Sequence, residues 1–132
     1  MTDLVIVAHT GIGEAMRSVA DTILDRRIEL TIFPVDPQDD PEAATRRLTE
    51  LLQAWDRSSP PLVMTDLPGA TPHNLAIAAV DRTLPGAPVL TGLNLPMLLR
   101  ALNHDQQPAA ALAEIAAHGA QAATFIGAGD ED

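Results

Sequence analysis

The sequence predicts an α/β domain, a doubly wound parallel sheet of four strands flanked by helices, with one further strand near the C-terminal end. Three observations predict it. Short continuous apolar runs alternate with segments of helical period, the pattern of strands buried on both faces and joined by crossover helices. The runs give way to polar residues and then to glycine or proline before a helix opens. The 132 residues suffice for one core but not for two.

The first run is Leu4 to Ala8, and His9 ends it, followed closely by Gly11 and Gly13. A helix is expected from Gly13 to Leu24, with Met16, Val19, Ala20, Ile23 and Leu24 on one apolar face. The second run, Ile28 to Val35, stops at Asp36–Pro37. Asp40 before Pro41 reads as an N-cap with proline at the first helical position, and Leu48, Leu51, Leu52 and Trp55 supply that helix's buried stripe. Pro60–Pro61 separates it from the third run, LVMTD, which ends on Asp66 and enters the loop LPGATP. There Thr71 reads as the cap of a helix running to Arg82. The fourth run, PVLTG, passes through GLNLPM into a helix from Leu95 to Leu102. A last helix from Pro108 to His118 is expected to stop at Gly119 as its C-cap, leaving QAATFIG as a final strand. Residues 1–127 thus form one expected domain, and 128–132 an acidic tail exposed to solvent.

Composition removes several classes of function. A formal charge of −10, with eight scattered basic residues, leaves no basic patch for nucleic acid. All eight are arginines, so a Walker A loop lacks its lysine and Schiff-base chemistry its amine. Phe33, Phe125 and Trp55 are the only aromatic residues, too few for a base-stacking platform. The absence of cysteine fits a reducing compartment. No stretch reads as a secretory leader or approaches the ~20 apolar residues of a membrane span, so a soluble, cytoplasmic protein without membrane insertion is expected.

In a doubly wound sheet the strands point their C-terminal ends to one edge, and ligands bind there beside helix N-termini. His9 after the first strand, Asp66 after the third and Asn94 after the fourth all fall on that edge. Each has a plainer reading, as a hydrogen-bonded loop histidine or as turn caps, but chance must then bring three segments to one place. Free N–H groups at the helix starts, around Gly11, Gly69 and Ala70, make the edge suited to an anion. Within that set His9 can act as a nucleophile if Asp66 holds one ring N–H, fixing the tautomer and favouring the positive ring that forms on bond-making. Helix-start N–H groups and the Thr71 hydroxyl would then spread the charge of a transferring phosphoryl group. The competing readings are a binding-only anion module and a metal hydrolase using His9, Asp66 and His73. Neither metal nor cofactor is required for phosphoryl transfer from a phosphoprotein.

IVAHTGIGEAM, TDLPGATPHN and GLNLPML, in this order over nearly the whole chain, resemble the mannose/fructose-type IIA components of the bacterial phosphoenolpyruvate-dependent sugar phosphotransferase system (PTS). The resemblance implies that His9 is the phosphorylated histidine, Asp66 orients its ring and the Thr71 hydroxyl contacts the phosphoryl group. It also implies that Asn94, Pro96 and Met97 fall in the motif lining the site, and Thr10, next to His9, and His73, just inside the third helix, are expected to border it. A relay follows: His9 takes a phosphoryl group from phospho-HPr and passes it to a histidine of a IIB protein or domain, in sugar uptake or in PTS-linked regulation. Such components are homodimers whose C-terminal antiparallel strand lies near or across the interface, where QAATFIG falls. Leu67–Pro68 and Ala70 depart from positions often aromatic or glycine, and His73 stands where an apolar residue is common. The phosphotransfer subunit of dihydroxyacetone kinase, with an N-terminal histidine on a similar fold, is the nearest alternative.

Overall fold

The protein is described from a computed structural model, which covers residues 1–127. Its elements alternate as the apolar runs require: β1 (Leu4–His9), α1 (Ile12–Leu24), β2 (Thr31–Val35), α2 (Pro41–Leu52), β3 (Leu62–Thr65), α3 (Thr71–Thr83), β4 (Val89–Leu90), α4 (Leu95–Asn103) and α5 (Ala109–Ala122). The four strands form one parallel sheet in the order β2-β1-β3-β4. The direction of winding therefore reverses between β1 and β3, and a crevice opens at their C-terminal ends.

Strand alternation divides the core into two layers. Leu4, Ile6, Ala8, Leu62 and Met64 point to the face covered by α1, α4 and α5, where Ala20, Leu98, Ala101 and Leu112 meet them. Val5, Val7, Val35 and Val63 point to the other face, against Leu48 and Leu52 of α2 and Ala76 and Ala79 of α3. Burial on both faces explains why the strands read as unbroken apolar runs instead of alternating ones. No helix among the described residues is long and apolar enough to cross a membrane.

Several expectations are corrected. α1 buries Ala20 as expected but turns Gly13 inward beside it, while Val19 and Ile23 stand 44% and 51% exposed. The reason is proximity: a Cβ on Gly13 would lie 2.7 Å from Ile32 Cγ2, so only glycine lets α1 approach the sheet so closely. The second strand begins at Thr31, not Ile28, because the Ile28 N–H donates to Asp21 Oδ1 (2.7 Å) at the end of α1 and is drawn away from the ladder. Trp55 lies beyond α2, still packed on the core, with Nε1–H donating to Asp3 Oδ2 (2.8 Å).

The C-terminal end differs most. α5 continues through Gly119 to Ala122, as its alanine-rich sequence favours. Gly119 is no cap; it makes room for Arg100 of α4, whose Cγ would be 2.8 Å from an added Cβ. Gln121 and Ala122 complete that helix and 124–127 have no regular structure, so the expected antiparallel strand is not found among the described residues. The expected tail, 128–132, lies outside them.

Candidate active site

β1 and β3 are neighbours in the sheet, with Val7 opposite Thr65, so the residues that follow, Ala8–His9 and Asp66, leave the crevice side by side. Adjacent strands are only ~4.8 Å apart, within side-chain reach. Asp66 Oδ2 accepts from the His9 backbone N–H (3.0 Å) and contacts the ring Nδ1 at 2.6 Å, while Oδ1 accepts from the Leu67 N–H (3.0 Å). A carboxylate only accepts, so Nδ1 carries the proton and Nε2 is the free nitrogen. The His9 side chain is 43% exposed and that of Asp66 13%. The positioning group is thus the more sheltered of the two and the ring faces solvent.

Burial alone would raise the Asp66 carboxyl, but the hydrogen bonds from the His9 ring and backbone outweigh it and hold it below its usual 3.8. A depressed native value means that Asp66 contributes stability fully above the unfolded value and loses it as pH falls through the native one. Urea midpoints measured against pH are therefore expected to fall more steeply below pH 3.8 in the wild type than in Asp66→Asn.

After His9 the chain turns away from the sheet. Thr10 N–H still donates to Val35 O (3.2 Å), and Gly11 then takes φ +97, a left-handed value that glycine adopts without strain. Gly11 is also the N-cap of α1 and makes no side-chain cap bond, so the first-turn N–H groups of α1 have no capping side chain. Across the crevice, Thr71 does not cap α3 as expected. The cap is Ala70, whose carbonyl accepts from the Asn74 N–H (3.1 Å) and closes the first turn one residue earlier. The exposed Thr71 hydroxyl is thereby left free of a capping bond.

Gly69 and Ala70, expected as N–H donors to an anion, are engaged within the loop. Gly69 N–H donates to His73 Nδ1 (2.9 Å) and Ala70 N–H to Leu67 O (3.2 Å). His73 consequently turns a ring nitrogen to its own loop. Among the described residues no three His, Cys, Asp or Glu side chains stand together as a metal's ligand set would.

His9 and Thr71 share a cavity of about 270 Å³ with Val35, Asp36, Pro37, Asp39 and Pro41. This β2–α2 loop is absent from the site expected from the sequence, although β2 must end on the same edge as the other strands. A run closing on Asp36–Pro37 was the available signal. Its turn is held by Asp36 N–H on Asp39 Oδ2 (3.0 Å), and Arg47 stands 3.7 Å from the same oxygen. A larger groove, about 600 Å³, lies at the opposite edge among Arg17, Asp21, Arg27 and Glu29. It adjoins the beginnings of β1 and β2 and holds neither His9 nor Asp66.

The GLNLPM residues lie outside the His9 cavity lining. Met97 is only 4% exposed and belongs to the core, and Pro96 borders a groove between α4 and α5. Asn94 caps α4: Oδ1 accepts from Met97 N–H (3.0 Å) and Nδ2 donates to Gly92 O (3.0 Å). The loop before it is tied beside Asp66 by Leu93 N–H on Thr65 O (2.9 Å) and by the Thr65–Thr91 hydroxyl pair (2.9 Å). Asn94→Ala is expected to cost about 1 kcal/mol in urea unfolding, the usual effect of losing such a cap.

The family described as PTS system fructose IIA component matches the chain over residues 3–118. No curated protein matches it. Among solved structures, the mannose/sorbose specific IIA subunit of the phosphotransferase system from Enterococcus faecalis is similar at a TM-score of 0.84 and 24% identity, over 99% of this chain and 98% of that one. The phosphotransferase system component EIIA from Streptococcus agalactiae gives 0.82 and 22%, over 96% and 97%. The PTS IIA protein associated with the fucose utilization operon from Streptococcus pneumoniae gives 0.75 and 19%, over 96% of each chain. These likenesses establish the fold, an α/β sheet flanked by helices on both faces. With the family match spanning nearly the whole chain, the protein belongs to the fructose IIA component family, which places it as a phosphotransferase in the sugar phosphotransferase system.

Proposed function

We propose that this protein is a phosphocarrier in which His9 accepts a phosphoryl group from phospho-HPr and delivers it to a histidine of a IIB protein or domain. One observation carries the reading: a half-exposed imidazole whose Nδ1 is held at 2.6 Å by a carboxylate and whose Nε2 is free. In the first step Nε2 attacks phosphorus, the N–P bond forms, and the bond from phosphorus to the donor breaks. Nδ1–H stays on the ring, and Asp66 balances the positive charge that bond formation creates. In the second step the acceptor's histidine attacks the same phosphorus and His9 leaves as the neutral ring.

The travelling PO₃ group carries its charge on three oxygens. The uncapped start of α1 at Gly11 and the Thr71 hydroxyl are its donors, assisted by the positive ends of α1 and α3. Gly69 and Ala70 shape the loop that presents Thr71, and Thr10 lies between the nucleophile and the α1 cap. Residues 1–127 act as one domain in this reading, and the carrier is a homodimer. Phe125 and Ile126, 78% and 99% exposed at the C-terminal end, support a second copy as their cover.

The test mixes the protein with phosphoenolpyruvate, enzyme I and HPr. One acid-labile, base-stable phosphoryl group per chain is expected. A protein that binds inorganic phosphate but takes none covalently would instead be an anion-binding regulatory module.

A further inference from the structure

The loop between Asp66 and Thr71 has little packing to hold it. Leu67 is 56% exposed, and Gly69, at φ +79, has the widest backbone freedom of any residue type. What fixes it is the first turn of α3, which grips Gly69 twice: Nδ1 of His73 accepts the Gly69 N–H (2.9 Å), and Nδ2 of Asn74 donates to the Gly69 carbonyl (3.3 Å). Because Nδ1 accepts, the His73 ring carries its proton on Nε2.

We propose that His73 is a positioning residue for phosphoryl transfer, its imidazole bracing Gly69 so that Asp66 and Thr71 are held at the two ends of one rigid turn. The proposal rests on the reading of His9 as the phosphoryl acceptor. A displacement at Gly69 passes both ways. Towards the strand, Leu67 takes part in the Ala70 N–H···O bond (3.2 Å) and donates its own N–H to Asp66 Oδ1 (3.0 Å). Towards the helix, Ala70 is the cap from which Thr71 projects. An apolar side chain at position 73 fills space but accepts nothing, so this brace follows from the histidine itself. It also withdraws the Gly69 N–H from the donors available to the phosphoryl group.

Three variants, hydrogen exchange and the spectrum of the labelled wild type test it. His73→Ala removes the acceptor, His73→Leu keeps bulk without an acceptor, and His73→Asn restores an acceptor close to the place of Nδ1. His73→Ala and His73→Leu are expected to slow single-turnover transfer from phospho-HPr to His9 by roughly tenfold or more, within the ~10²-fold that a 1 Å misplacement can cost. Both should speed hydrogen exchange at the Gly69 amide, and His73→Asn should recover much of each loss. In the ¹⁵N-labelled wild type, a coupling across the Gly69 N–H···Nδ1 bond and a proton on His73 Nε2 are expected. Wild-type transfer rates in folded His73→Ala or His73→Leu, or a His73 ring protonated on Nδ1, would overturn the proposal. Wild-type protein that takes no phosphoryl group overturns the reading of His9. A phosphorylated wild type with unaltered variants overturns only the role of His73, and Gly69 exchange reports on the brace in either case.

Discussion

His9→Ala is expected to accept no phosphoryl group from phospho-HPr, with labelling below about a hundredth of the wild-type level, because removing a nucleophile removes the step and not merely its efficiency. No other histidine has the same setting. His73 Nδ1 is bound to Gly69, His104 ends α4, and His118 lies within α5. The site of the bond is fixed as well. With Nδ1 engaged by Asp66, the wild-type product should be Nε2-phosphohistidine, a position that ³¹P–¹⁵N correlation distinguishes from Nδ1. Labelling of His9→Ala at the wild-type level, or a phosphoryl group on Nδ1, would remove His9 in its proposed role. The variant should stay folded, since the half-exposed ring sits at a strand end and contributes little to either core layer.

The pairing of His9 with Asp66 was legible in the sequence because it depends on few facts. Apolar runs mark the strands, parallel strands share an edge, and polar residues terminating two such runs must meet if those strands are neighbours. What escaped depends on distances that periodicity does not encode. The 3.6-residue pattern of α1 marks Val19 and Ile23 as readily as Ala20 and passes over Gly13, and which residues turn inward is decided by how closely the helix lies on Ile32. Gly119 resembles a cap in sequence but allows Arg100 close approach in space. Met97 sits one turn from the crevice yet faces the core, since capping by Asn94 sets where that helix begins. The binding of Gly69 N–H to His73 joins residues four apart through a turn whose shape only the folded loop defines.

Asp66→Asn is expected to slow single-turnover phosphoryl transfer by about 10²–10⁴-fold, the range seen when an oxyanion donor or a histidine-orienting carboxylate is altered elsewhere. The reason is that three donors converge on this side chain: the His9 N–H and Nδ1–H on Oδ2, and the Leu67 N–H on Oδ1. An amide has only one acceptor atom. If its oxygen faces His9, the NH₂ is set against the Leu67 N–H. If it is flipped, the NH₂ faces the His9 backbone N–H and forces Nδ1 to accept, which moves the ring proton to Nε2 and silences the nucleophile. Even the better orientation replaces a charged acceptor with a neutral one, roughly halving the strength of the ring hydrogen bond and leaving the growing positive charge unbalanced. Asp66→Ala should be slow for a related cause, as nothing then fixes the tautomer. The chemical shift of the Nδ1 proton supplies a reading independent of rate: the Asp66→Asn spectrum should lose the strongly deshielded signal of a short charge-assisted bond. Transfer at the wild-type rate in Asp66→Asn would show that the carboxylate has no part in preparing His9, leaving it only the backbone contacts by which it holds the turn.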